Sequence, residues 1–201
     1  MPEKPKTALV SPNRPPFSVD DLMEELWEVE VGRSRKNREK VRKPYKDHKG
    51  KWTIGIGHLI GDGSQKAYEK SEFRNKTLNN KEMLDLARKD SDAKIQRVLA
   101  QFGKQFFDFY PETQIQIVSS YYRGGLPGSP DTLEHIKDNR LDLASKEFLD
   151  NDEYRKSVKE GTGVAPRMRK LSDALAVEGR RVGPPLSAMT FPEAVEKRLK
   201  P

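Results

Sequence analysis

The chain has 201 residues, enough for one ordinary domain or two small lobes with a real core. It has no cysteine, which excludes structural disulfides, thiolate zinc sites and cysteine catalysis. A formal charge of +7, from 38 basic and 31 acidic residues, favours polyanions such as cell-envelope polymers, nucleic acid or acidic membranes without choosing among them. Along the chain, residues 1–17 carry five prolines and little periodic apolar content, which predicts an extended or disordered arm. Ser18 can cap a helix with Asp20 and Asp21 in its first turn. Met23, Leu26, Trp27 and Glu30 then recur at helical spacing, so Glu30 falls on the apolar face and Gly32 closes the helix. The basic run Arg33 to Lys43 reads as a solvated, flexible loop.

Tyr45 to Ile60, YKDHKGKWTIGIGHLI, is the most informative stretch. Gly50 separates two β-compatible runs, and Gly55 and Gly57 alternate with isoleucines. The pattern predicts a hairpin with Thr53, Gly55 and Gly57 on one face and Ile54 and Ile56 packing inward on the other. Asp47 and Thr53 then border one cleft. Gly61 to Lys76 reads as a polar connection, after which Asn79 or Asn80 can cap a long helix to about Phe102. Further helices are predicted at about 104–109, 111–122, 130–137, 140–150 and 165–177, making a helical second lobe.

The hairpin motif, Tyr-Lys-Asp, a Gly turn, then Thr-Ile-Gly-Ile-Gly-His-Leu, resembles the T-even phage-type lysozymes. The resemblance continues more weakly through Leu78-Asn-Asn-Lys-Glu, Lys89-Asp-Ser-Asp and Ala165-Pro-Arg167, and covers about residues 20–178. It implies an α+β, lysozyme-like fold: a small lobe at about 18–78, an interlobe helix at about 79–102 and a helical lobe at about 103–178. Residues 179–201 are expected to be a peripheral tail with a short helix from Pro192 to Leu199.

The implied activity is hydrolysis of the β-1,4 bond between N-acetylmuramic acid and N-acetylglucosamine in peptidoglycan. Glycoside hydrolysis needs a proton donor for the leaving oxygen and a second carboxylate that activates water or attacks directly. By the resemblance, Asp47 is the second carboxylate and Thr53 helps hold the water, although Thr53 on its own is a plain strand residue. The family's acid stands nine residues before the Asp, where this chain has Arg38. Glu30, Glu28 and Glu39 compete for the role. Glu39 sits in the basic run that would favour its ionised form, and Glu28 lies on the more exposed side of the first helix. Glu30 ends that helix on its apolar face, where burial beside Trp27 or Leu26 would keep it protonated as a donor must be. On this alignment Arg33 to Lys40 is an insertion of about eight residues in the lip of the cleft.

The resemblance also implies that His58 pairs with Asp90 to tie the hairpin to the long helix, and that Leu59 lines the cleft. It further suggests that Arg167 pairs with the acid, an exposed helix-start arginine being the alternative. Tyr45 and Tyr122 offer aromatic faces for a sugar ring or for the core. Arg123 stands where the family more often has Gln in a substrate-contacting turn. His48 and His135 read as surface residues, and three scattered histidines give no metal spacing, so no cofactor is expected.

The chain lacks a spanning apolar run and an apolar signal core, which predicts cytoplasmic synthesis without stable membrane insertion. The expected partner is bacterial peptidoglycan, reached through a holin or from within a virion by a monomeric, inverting enzyme that lyses the host. A lysozyme-fold protein without catalysis, binding glycan or building a virion, is the alternative. Nucleic-acid binding rests only on the charge.

Overall fold

A computed structural model describes residues 18–32, 34–47 and 49–182. The expected N-terminal arm, His48 and the expected tail helix from Pro192 to Leu199 lie outside the described residues. The protein is mostly helical, with one small three-stranded antiparallel sheet, an α+β arrangement.

Helix α1, Val19–Leu26, begins as its sequence dictates: the Ser18 hydroxyl accepts from the Asp21 amide at 3.3 Å, and Asp20 and Asp21 face the positive end of the helix. It continues into a π-helical segment, Trp27–Val31, closed by Gly32 at φ +75°. Only a residue without a Cβ adopts that conformation cheaply, and the Gly32 amide donates to the Trp27 carbonyl five residues back. The basic run is not a loop. Arg35–Val41 forms helix α2, with Val41 buried and Arg35 to Lys40 exposed. One apolar anchor and the Arg35–Glu39 spacing of four are compatible with a short helix despite the charge.

The sheet comprises β1 (Tyr45–Lys46), β2 (Trp52–Ile54) and β3 (His58–Leu59), in that order. The strand does not run through the glycines as expected. β2 ends at Ile54, and Gly55 and Gly57 take φ values of +63° and +79° in a tight turn to β3. Ile54 and Ile56 nevertheless both pack inward, at 0% and 1% exposure. The expected polar connection contains helix α3, Gln65–Lys70, capped by Ser64. Its Tyr68 ring stacks on Trp52 at 4.0 Å, and Gln65 accepts from the Trp52 indole at 2.8 Å.

Helix α4, Asn80–Phe102, is the long helix, and the structure assigns its cap to Asn79. The Asn79 side chain accepts from the Glu82 amide while Glu82 accepts from the Asn79 amide, a reciprocal capping box. Asn80 instead accepts from Arg42 at 2.7 Å. Met83, Ala87, Ser91, Val98 and Phe102 form the buried stripe. A 3₁₀ segment, Gly103–Asp108, leads to α5 (Pro111–Arg123), and a second, Leu126–Gly128, leads to α6 (Pro130–Lys137). Helices α7 (Leu141–Glu147), α8 (Asp152–Glu160) and α9 (Val164–Val182) complete the fold.

Helix α8 is not among the predicted elements, although Asn151 accepts from the Tyr154 amide as its cap. Helix α9 runs on to Val182, and its buried Glu178 accepts from the Tyr110 amide and the Thr113 hydroxyl, both at 2.8 Å. Helix α1 packs on α4 and α5, and Glu25 meets Lys170 of α9 at 2.8 Å, so α1 belongs with the helical lobe rather than with the hairpin. Leu22, Met23 and Leu26 need an apolar partner that strands of two or three residues cannot supply.

The cap gives a test of helix α4. Asn79→Ala is expected to lower unfolding free energy by about 1 kcal/mol in urea denaturation, and Asn80→Ala by clearly less. Equal losses would contradict the assignment of the cap.

Candidate active site

The sheet register arranges the first group of side chains. Tyr45 lies opposite Thr53, Thr53 lies opposite Leu59, and the Asp47 amide donates to the Lys51 carbonyl at 2.9 Å. Opposed residues share a face, as do residues two apart along a strand, so Tyr45, Asp47, Thr53 and Leu59 belong to one face. Leu59 is 39% exposed on it, whereas Thr53 is buried. The Thr53 hydroxyl donates to the Lys51 carbonyl at 3.2 Å, which leaves its oxygen lone pairs as acceptors. Asp47 Oδ1 accepts from the Lys49 and Lys51 amides, both at 2.8 Å. Those bonds hold Oδ1 of the carboxylate against the turn.

Glu30 comes to the site from the π-helical end of the first helix. Its side chain is only 17% exposed and stands between two guanidiniums. Arg123 Nη1, at the end of α5, is 3.9 Å from Oε1, and Arg167 Nη1, in the first turn of α9, is 3.9 Å from Oε2. The surroundings are therefore ionic, with a second guanidinium, that of Arg123, beside a carboxyl for which the sequence predicts burial next to Trp27 or Leu26 and a pairing with Arg167. At that distance the pairing is Coulombic, not hydrogen-bonded. Glu30 Oε1 and Arg123 Nη1 are both buried without a hydrogen-bond partner. Burial pushes the Arg123 guanidinium below its ordinary pKa and Arg167 adds to the effect, while Glu30 opposes it.

Two phenols connect the groups. The Tyr45 hydroxyl is pushed up to about 12, first by burial, then by the charges of Glu30 and Asp47. Tyr122 is also raised, by burial first and then by Asp90 and Glu30. Its hydroxyl donates to the Ile56 carbonyl at 2.5 Å, and a Cβ on Gly57 would lie 3.4 Å from its ring. Tyr122 therefore packs under the glycine turn, a core role.

The remaining expected residues fall as follows. His58 Nδ1 and Asp90 Oδ2 are 2.8 Å apart, linking β3 to α4. Arg167 faces Glu30, and Arg123, expected in a sugar-contacting turn, faces it too. Glu39 is exposed on α2, 3.7 Å from Arg42. Glu28 lines a surface groove with Glu25 and Glu112, to which the hairpin contributes no residue. His135 is half-buried rather than on the surface, with Nδ1 shielded. Among the described residues no cluster of three His, Asp or Glu side chains is arranged to hold a metal ion.

The Arg123–Glu30 pairing and the action of both carboxylate charges on the Tyr45 hydroxyl are not among the contacts that the sequence predicts. Nothing in spacing signals the former, because it joins residues 93 positions apart through tertiary packing. Of the latter, the relation to Asp47 follows from register, since Tyr45 is two residues before Asp47 and opposite Thr53, whereas the relation to Glu30 depends on where the first helix ends.

The raised Tyr45 value sets a pH window. Neutral Tyr45 contributes its full stability below the ordinary value of 10.0, and that contribution is lost as pH rises through about 12. Between about pH 9 and 12, wild type is expected to lose about 2 kcal/mol more unfolding free energy than Tyr45→Phe in urea titrations. Parallel curves for the two proteins would contradict this environment.

Comparison with protein-family models finds no match to this chain, and comparison with curated proteins finds none either.

Proposed function

We propose that the protein is a muramidase that hydrolyses the bond between N-acetylmuramic acid and N-acetylglucosamine in peptidoglycan. The observation that carries the reading is the sheet register, which puts Asp47, Thr53 and Leu59 on one face with Tyr45, whose hydroxyl is pushed up by burial first and then by the charges of Glu30 and Asp47. Two carboxylates from different elements, one shielded and one fixed at a turn, are the equipment that glycoside hydrolysis needs.

In this reading Glu30 in its protonated form delivers its proton to the leaving glycosidic oxygen, and Arg123 and Arg167 hold the carboxylate that results. Asp47 Oδ2 accepts a proton from water, while the Thr53 oxygen accepts the water's second hydrogen. Donating both hydrogens turns a water lone pair toward the anomeric carbon. One carbon–oxygen bond forms as the other breaks, with the proton from Glu30 leaving on the departing sugar and the proton from water passing to Asp47. This is the inverting course, which requires room for a water between Asp47 and the sugar. Leu59 offers apolar contact at the rim. The reading carries with it a monomeric protein acting on the wall of a phage-infected cell, after release through a holin or from a virion. No described helix is long and apolar enough to cross a membrane.

A second reading, a glycan-binding or virion structural protein that has lost catalysis, is favoured by one observation. Each Glu30 oxygen faces a guanidinium, so the carboxyl has an ionic structural role even without chemistry.

Release of new reducing ends from purified peptidoglycan separates the two. Wild type is expected to be active, with Glu30→Gln and Asp47→Asn each slowing release by at least roughly 10²-fold while remaining folded by circular dichroism. Glu28→Gln and Glu39→Gln should stay within about twofold, since Glu28 lines a groove without hairpin residues and Glu39 is exposed on α2. A folded wild type that releases nothing would leave the binding reading.

A further inference from the structure

The charge of this chain is not spread over it. Nine of the 38 basic residues and two of the 31 acidic ones fall between residues 35 and 51, so this stretch carries the whole formal surplus of seven and the rest of the chain is balanced. The stretch consists of α2, β1 and the turn into β2, all on the small lobe beside Asp47. Arg35, Lys36, Lys43, Lys46, Lys49 and Lys51 are all exposed on it. Packing so many like charges into one short helix and one hairpin works against the fold through mutual repulsion. A bound polyanion relieves that repulsion.

The aromatic rings of this region narrow the choice of polyanion. Arg38 lies over Trp27, Lys40 over Tyr45 and Lys46 over Trp52, each at 5.6 Å from the ring centroid. Cations occupy those faces, which leaves them unsuited to stacking the bases of a single-stranded nucleic acid. A membrane-surface helix needs an exposed apolar side, whereas the one apolar residue of α2, Val41, is buried. These observations favour an anionic chain read by its charge rather than by stacked bases.

We propose that α2 and the β1–β2 hairpin form a docking surface for an anionic, base-free glycopolymer of the bacterial envelope, one bearing repeated phosphate or carboxylate groups. The assignment to the envelope rests on the muramidase reading, because the surface adjoins the Asp47 side of that cleft. Bound there, the polymer would keep the protein on the wall while the cleft works on glycan.

Co-sedimentation with purified walls tests this without requiring catalysis. The walls are used intact and after acid removal of their anionic polymers, at low and physiological salt. The proteins are wild type and the triple variant Arg35→Gln, Lys36→Gln, Lys43→Gln, which touches no residue of the cleft; circular dichroism checks its fold. Wild type is expected to bind intact walls roughly tenfold more tightly than stripped walls, with a steep loss as salt rises. The triple variant should lose roughly tenfold on intact walls and nothing on stripped ones. Equal wild-type binding to both walls, or a folded variant that binds intact walls like wild type, would overturn the proposal. So would displacement from intact walls by single-stranded DNA at lower charge concentration than by inorganic polyphosphate. If the wall-binding pattern holds while soluble glycan fragments are not cleaved, the muramidase reading fails and the docking surface stands.

Discussion

A shielded carboxylate cannot be placed in a protein without charge or hydrogen bonds to compensate for its lost hydration, and Glu30 meets that requirement with two arginines. The arrangement has consequences well beyond one side chain. Arg123 ends α5 and Arg167 begins α9, so the Coulombic pairing gathers the end of the first helix, the end of α5 and the start of α9 at one point. The Glu25–Lys170 pair and the Asp20–Arg88 pair, both at 2.8 Å, hold the same helix along its length. Removing one partner would leave buried charge uncompensated, which is why the helical lobe and the site are one construction rather than a scaffold with residues added.

The hairpin side is governed by backbone geometry instead. Gly55 and Gly57 in left-handed conformations turn the chain back within three residues, and that tight return is what allows Tyr122 of α5 to sit beneath it. The His58–Asp90 contact then anchors the far strand to α4. With the β2–β3 turn held by α5 and β3 held by α4, a sheet of only seven strand residues can present Asp47 and Thr53 in fixed register. An isolated hairpin of this size would not be stable in water.

Much of this was legible in the residues. The capped first helix, the long helix with its cap at Asn79 or Asn80, the Gly50 turn and the inward isoleucines all follow from local patterns whose physics is local. The face shared by Asp47 and Thr53 followed from strand alternation even though the strand ended sooner than expected. Helices α2 and α8 were harder to see, because charge masked the first and short polar sequence the second; in each, one buried residue, Val41 or Ser157, supplies the inward contact. The Arg123–Glu30 approach was not legible, since it depends on how α5 meets the first helix. Tyr45 was visible as an aromatic residue, but its relation to both carboxylates required the register and the position of Glu30 together.

The central claim is that Glu30 and Asp47 face one ligand from opposite sides. A structure of Glu30→Gln bound to a soluble fragment of alternating N-acetylmuramic acid and N-acetylglucosamine tests it most directly. The account predicts a glycosidic oxygen within hydrogen-bonding reach of the side chain at position 30, with Asp47 across the sugar ring and Leu59 against it. A fragment bound away from both side chains, or no binding by folded protein at saturating fragment, would contradict it.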